Sequence, residues 1–384
     1  MKVKWLPIIA FLILLSCSKS DEKKELSFDR INLMNSNDVS IIEKISFDKL
    51  LILETSEESL FGRVDKMLIK GEKVFVLDQW VTKAIYMFDM DGQFLRKWTV
   101  GKGPDQFSSV DDFYVDNNAD ILTVLSGYRK KLLSYDTRTG ALIGQKEAPE
   151  GAKNFTIDRE RFIYEIDPKY GYHLLIENPE GDLKEQVKLP IYKSNVSPVM
   201  FGFQHHDNTI TRLFPRDTII YEITEGIAKP KFTLDFGESQ PVLNDGSLPI
   251  SDNQVNGLRH WLTEENVVIT FDLDEKSYYV IHNLLSGETC SNTAEGGVMT
   301  EEGLMSIFWH WISASVDNQL VVSVDAHFIG QIKTIFEFGG VDKFSEKTKA
   351  NLNKLYEISS KVKDSDNPVL LFLSIDGGRE LVGK

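Results

Sequence analysis

From about residue 64 to the C-terminus, short apolar runs alternate with turns rich in Gly, Asp, Asn and Lys. Runs of that length, bounded by turn residues, predict strands rather than helices. The clearest set predicts strands at 64–69, 74–78, 84–88 and 93–100, separated by KGEK at 70–73 and DMDG at 89–92. Strands joined by turns that short must pair antiparallel, so the set makes one four-stranded sheet.

The motif of a third strand, a glycine turn and a fourth strand then recurs. Strands at 132–136, 173–177, 218–223 and 278–283 lead into Gly140, Gly181, Gly226 and Gly287. Counting from Gly92, the turn glycines are 48, 41, 45 and 61 residues apart. One four-stranded propeller blade occupies about 40–50 residues, so the period points to a propeller. A sixth set is incomplete: 312–316 and 320–324 give two strands, 368–375 a third, and only Arg379–Lys384 follow the turn at 376–378. The unpartnered apolar run at 49–53 is expected to supply the missing fourth strand, joining the two ends of the chain and closing the ring. The fold class read from this pattern is all-β: a six-bladed β-propeller of four-stranded antiparallel blades, the last closed by an N-terminal strand.

Three stretches, VFVLDQ, IYMFDMDGQFL and the following GKGPDQF at 101–107, resemble the six-bladed β-propeller lipoproteins of Bacteroidetes, which are in turn similar to NHL-type propellers. The resemblance covers nearly all of the chain beyond its leader and implies fold and location rather than a ligand. Its members usually carry Gly then Glu where this chain has Asp105 and Gln106.

In such a ring, the loops joining second to third strands and those joining successive blades share one face, where ligands usually bind. The candidate ligand-binding residues of the first kind of loop are Trp80 and Lys83 in blade one, Tyr128 and Arg129 in blade two, and Tyr170 and Tyr172 in blade three. Arg216 follows in blade four and Lys276 in blade five. Aromatic and basic groups together can stack on sugar rings or clamp carboxylates; loop polarity and coverage of blade edges explain the same residues without a ligand. The blade-six loop is long. Within it Phe344, Leu352, Leu355 and Val362 recur at helical spacing, which predicts one helical insertion near residues 344–362, serving as a lid or as a plug.

The N-terminus changes the picture. Lys2 and Lys4 precede an apolar run from Trp5 to Leu15 that is too short to span a bilayer, followed by Ser16 and Cys17. Leu14, Leu15, Ser16 and Cys17 resemble a lipobox, which implies cleavage after residue 16 and acylation of Cys17. Residues 1–16 are thus read as a lipoprotein signal peptide, 17–30 as the lipidated cysteine and a flexible tether, and 31–384 as the propeller. The charged stretch SKSDEKKE at 18–25 lacks hydrophobic periodicity, as a tether should. Its acids resemble a surface-export signal; the alternative is the periplasmic side of the outer membrane. The expected partner is therefore the membrane, through the lipid, together with a glycan, peptide or envelope protein.

The chain has 43 basic and 58 acidic residues among 384, a net charge of −15, which argues against nucleic-acid binding. Its 42% hydrophobic content supports a substantial core, and with Cys17 acylated Cys290 has no disulfide partner. No phosphate loop, HExxH or GxSxG motif is present, so no cofactor or metal is expected. Asp89, Asp91 and Gly92 echo a calcium loop without its later ligands. His205 and His206 are adjacent and would face opposite sides of a strand. His260, Trp261, Trp309, His310 and Trp311 form either an aromatic or acid–base site or packing between blades. The favoured function is a non-catalytic binding or interaction propeller of the cell envelope; the alternative is an envelope glycan hydrolase or lyase acting at the channel mouth. Cys17→Ala is expected to move the protein from membrane to soluble fractions, and a variant that still sediments with washed membranes would remove the lipoprotein reading.

Overall fold

The computed structural model describes residues 29–34, 41–103, 105–127, 130–178, 180–181, 184–189, 202–206, 209–214, 217–241, 254–294, 301–338 and 341–376. Residues 1–28, which include the stretch read as a signal peptide, Cys17 and most of the stretch read as a tether, and residues 377–384 lie outside these.

Six sheets follow one another along the chain. Blade one is Lys66–Lys70, Lys73–Asp78, Ala84–Asp89 and Phe94–Thr99, paired antiparallel in that order. The same order from the channel outward repeats in blades two (112–147), three (152–187), four (204–235) and five (254–294). Blade six takes Ile312–Val316, Gln319–Val324 and Val369–Ile375 from the C-terminal region and Ile45–Ile52 from the N-terminal one. The closing strand expected at 49–53 is therefore present and longer than the apolar run suggested.

The apolar residues sort into six clusters, one between each pair of neighbouring blades. This explains why VFVL reads as a continuous apolar run. Val74 and Val76 face blade six, Phe75 and Leu77 face blade two, and all four are fully buried. A strand covered on both faces has no polar side to display.

The closing strand meets the same requirement with a local irregularity. Ile45 and Phe47 pack into the interface of blades five and six, whereas Leu51 and Leu53 pack into that of blades six and one. All four positions are odd-numbered and would share a face in a regular strand. A bulge at Asp48, between the Phe47↔Leu373 and Lys49↔Phe372 pairs, shifts the alternation by one residue and sends the two halves to opposite sides. Two buried asparagines then fasten this seam. Asn351 accepts from Phe47 N (3.0 Å) and donates to Ile45 O (3.0 Å). Asn367 accepts from Phe61 N (3.1 Å) and donates to Glu54 O (2.8 Å) and Ser59 O (3.0 Å). Gly92, in left-handed conformation, lets the blade-one hairpin press on the strand's end, where a Cβ would lie 2.1 Å from Ile52 O.

Three features differ from the sequence expectations. The blade-six insertion holds two helices rather than one: α2 (Ala326–Phe338) precedes the expected α3 (Glu346–Ile358), and α1 (Glu301–His310) links blades five and six. In α2 Phe328, Ile329, Ile332, Ile335 and Phe336 form one buried helical stripe, a signal present in the sequence that the reading of the insertion passed over. The strand Asp29–Asn32 adds in parallel to the outer edge of blade four, so the last two residues read as tether, Asp29 and Arg30, are ordered. Gln240–Pro241 likewise pairs in parallel with the inner strand of blade five.

The bulge supplies a test. Deleting Asp48 forces either Ile45 and Phe47 or Leu51 and Leu53 onto the wrong face, a loss of roughly 1.5–3 kcal/mol per misplaced side chain. Asp48→Ala keeps the bulge and is expected to cost less than about 1 kcal/mol. Urea unfolding of the two variants should differ by several-fold in lost stability; equal losses would show that the alternation is not what the bulge provides.

Candidate functional site

The first strands of the blades surround a central channel, and two continuous cavities occupy it. One, about 180 Å³, lies toward the loop face and is lined by Asp65, Lys66, Gln204, Arg259, His310 and Trp311, among others. The other, about 200 Å³, shares Asp65, Lys66, Gln204 and Ser313 and extends past Lys70 and His205 toward the opposite end.

A belt of polar contacts ties the blades together around this channel. Lys66 Nζ donates to Asp112 Oδ1 (2.6 Å) and Phe113 O (2.8 Å), and Asp112 Oδ2 accepts from Phe155 N (2.9 Å). One carboxylate thus joins the inner strands of blades one, two and three. Both partners are buried, with side-chain exposures of 8% and 1%. Burial pushes the Asp112 carboxyl up from its ordinary range while the Lys66 ammonium pulls it back. Further round, the Thr156 hydroxyl meets His205 Nε2 (3.2 Å), Glu165 binds Arg212 (2.7 Å), and the Thr211 hydroxyl meets His260 Nε2 (2.9 Å). Burial draws His205 well below its ordinary value, reinforced by Lys66 and Lys70, so its imidazole is neutral.

At the loop-face end, Asp65 accepts from Gln79 N (2.8 Å) and pairs with Arg63 (2.7 Å). The Arg259 guanidinium is drawn below its ordinary range by burial, with Asp272 opposing that shift. Asp272 accepts from the Ser277 hydroxyl (2.6 Å), whose lone pairs face His310 Nε2 (3.4 Å), while His310 Nδ1 faces the Tyr279 hydroxyl (3.1 Å). Because the single serine proton goes to the carboxylate, we assign the His310 proton to Nε2, and Tyr279 donates to Nδ1. Both ring nitrogens are then engaged, and the ring is an oriented wall of the cavity. Among the described residues, no group of three or more His, Cys, Asp or Glu is placed to hold a metal ion.

Of the aromatic cluster read from the sequence, His260, Trp261 and Trp309 are buried in blade packing, with Trp309 stacked on Tyr279 at 5.6 Å. His310 and Trp311 reach the cavity, to which Trp261 also contributes. His205 and His206 do occupy different environments: His205 reaches blade three and the Tyr114 ring, and His206 is buried. In the DMDG turn, Asp89 Oδ1 accepts from Asp91 N and Gln93 N, the bonding of a hairpin rather than a calcium loop. In the 101–107 loop Gln106 Oε1 accepts from Gly103 N (3.0 Å), and Phe107 anchors the loop in the core.

The loop residues divide. Trp80 is 66% exposed beside exposed Val81, and Lys83 is exposed with positive φ, its carbonyl accepting from Val100 N. Tyr170 is 36% exposed, closes a capped turn (Pro168–Tyr170), lies over Gly151, and has Lys169 Nζ 5.1 Å from its ring centre. Next to it Lys130 pairs with Glu150 (3.0 Å), which the lysine holds below the ordinary carboxylate range. Tyr172 is half-buried against the core between blades two and three, a packing role. Lys276 is exposed on a tight hairpin turned by Asp274 and Glu275. Tyr128, Arg129 and Arg216 lie outside the described residues. The channel residues Asp65, Lys66, Gln204 and Arg259 escaped the sequence reading because they lie in or directly before inner strands, which it read as packing; polar residues in otherwise apolar inner strands were the available signal.

A family model described as domain of unknown function DUF4934 matches residues 30–374. The crystal structure of a Bacteroides fragilis protein named as exported superposes with a TM-score of 0.73 at 17% identity, covering 91% of this chain and all of that one. A DUF4221-family member from Bacteroides vulgatus gives 0.52 at 10% identity, over 86% and 98% of the two chains. At such identities the likeness concerns the fold. No curated protein matches the chain.

One buried loop-face carboxylate has a measurable signature. Asp217, in the second-to-third loop of blade four, accepts from Thr218 N (2.8 Å) and Ile219 N (3.2 Å), yet burial pushes it from 3.8 up to about 6. Across that window the folded protein keeps a proton the unfolded chain has released, so stability falls as pH rises. Asp217→Asn should lack this loss and gain on the wild type by on the order of 2 kcal/mol between pH 4 and 7. Parallel stability–pH curves would mean Asp217 is ionised throughout.

Proposed function

We propose, taking as premise that this chain belongs to the DUF4934 family, that it is an exported envelope protein whose propeller binds a ligand at the loop-face end of its channel without altering it. Support for export comes from the Bacteroides fragilis relative of the same fold and from the leader ending at Cys17. On this reading Cys17 carries lipid, residues 18–28 span the gap to the membrane, and the kinship with NHL-type propellers extends to presenting ligands on the loop face.

The observation that carries the binding reading is the state of the charged groups at the cavity mouth. Lys66 is held by Asp112, Asp65 by Arg63 and a backbone amide, and both His310 nitrogens by neighbouring hydroxyls. Burial raises the Asp65 carboxyl, but Asp78, which raises it further, is fully buried on the amides of Gly62 and Val81 and does not line the cavity, so these two carboxylates do not face a substrate together. The hydrolase or lyase alternative would require a carboxylate pair or a histidine with a charged partner opening into the cavity. The exposed Trp80 and the cluster of Lys130, Glu150 and Tyr170 extend a recognition surface over blades one to three.

Thermal-shift measurements on the purified protein with glycans, peptides and divalent metals test this. A ligand that binds only the folded state raises the melting temperature, by about 2.7 kcal/mol of added stability at a hundredfold excess over Kd. The expected outcome is a shift that disappears in Trp311→Ala, with the ligand recovered intact by mass spectrometry. Recovery of a cleaved ligand would overturn the non-catalytic reading, and a shift unchanged in Trp311→Ala would move the site off the channel.

A further inference from the structure

We infer that the channel mouth is built for an uncharged saccharide ring, an inference that rests on the binding reading above. Its basis is the difference between the polar groups at the mouth that already have partners and those that do not.

The charged groups are matched. The Lys66 ammonium and Asp112 carboxylate are buried together, and Asp65 sits against Arg63. Arg259 donates to His310 O (3.4 Å), and Asp272 accepts from Ser277. A carboxylate or phosphate entering beside Lys66 or Asp65 would have to displace one of these two pairs, exposing a buried charge that lost its partner. Anion selection therefore gains little at these two pairs.

What remains for a ligand is neutral. Gln204 lines both halves of the cavity, is half-buried, and its side-chain amide has no hydrogen-bond partner among the described residues. Trp311 is half-buried at the mouth, braced by the Phe328 ring at 5.3 Å, and no hydrogen bond engages its indole N–H among the described residues. An amide offers two donors and an acceptor, and an indole offers one donor and an apolar face. Vicinal hydroxyls above an apolar C–H face, the surface of a pyranose, satisfy this set without bringing charge. The joined cavities fall near the lower end of the roughly 300–1,000 Å³ typical of small-molecule sites, room for a sugar ring with its chain continuing outward.

Isothermal titration of the purified protein with maltose, cellobiose and diacetylchitobiose, and with digalacturonate as the charged counterpart, tests the inference. At least one neutral disaccharide should bind, with affinity insensitive to ionic strength. Gln204→Ala and Trp311→Phe, checked for native melting, should each weaken it about three- to tenfold, the range expected for losing one hydrogen bond. Tighter binding of digalacturonate that weakens with salt, or neutral binding unaffected by both variants, would overturn the saccharide assignment while a Trp311-dependent ligand in the thermal-shift measurements still upheld the binding reading. Cleavage of a bound disaccharide would do the reverse, upholding the sugar and removing the non-catalytic reading. Absence of binding by every disaccharide would remove the saccharide assignment and leave the binding reading to the thermal-shift measurements.

Discussion

The structure depends on the closure of its ring. Each blade buries both faces against neighbours, so six interfaces need six blades, and the last blade lacks its outer strand until Ile45–Ile52 arrives from the other end of the sequence. That strand must serve two interfaces of opposite sense with side chains of one parity. The Asp48 bulge reconciles these demands, and Asn351 and Asn367 satisfy buried backbone groups that the irregular strand and the following loop leave unpaired. The pairing of residues more than 300 positions apart makes the closing contacts among the most non-local in the chain, and contacts of that separation are formed against a large loop entropy.

Much of this architecture was legible in the residues. Apolar runs punctuated by turn glycines locate nearly all the blade strands, because hairpin turns and doubly buried strands leave strong local signatures. The incomplete sixth set even indicates how the ring closes. What could not be read was whatever depends on a neighbour rather than on a period. The parallel strand Asp29–Asn32 is short and lies in a polar stretch, with Ile31 its one buried residue.

The candidate site shows the same division. Loop position alone pointed to Trp80, Tyr170 and Lys276, which are exposed, but also to Tyr172, which packs inward. The cavity itself is assembled from polar residues of three or four different blades. Gln204, Arg259 and Lys66 are far apart in sequence, and nothing in the local pattern of any one of them reports the others. His310 and Trp311 stood out only because two tryptophans flank a histidine. The channel's polar belt also explains why buried ionisable groups are frequent in an otherwise apolar core: they link blades whose inner strands do not hydrogen-bond to each other through their backbones.

The parallel strand on blade four carries a mechanical implication. Residues Asp29–Asn32 run alongside Phe232–Asp235, Arg30 pairs with Asp235 at 2.8 Å, and Leu33 N bonds Asp235 O. Ile31 and Leu33 are buried in the interface of blades four and five. Tension applied to the chain ahead of Asp29 therefore loads this ladder first, in shear along the strand axis, and reaches the seam at Ile45–Ile52 only after it has yielded. The strand works as a strain relief, isolating the ring's one composite joint from any force transmitted through the N-terminal segment.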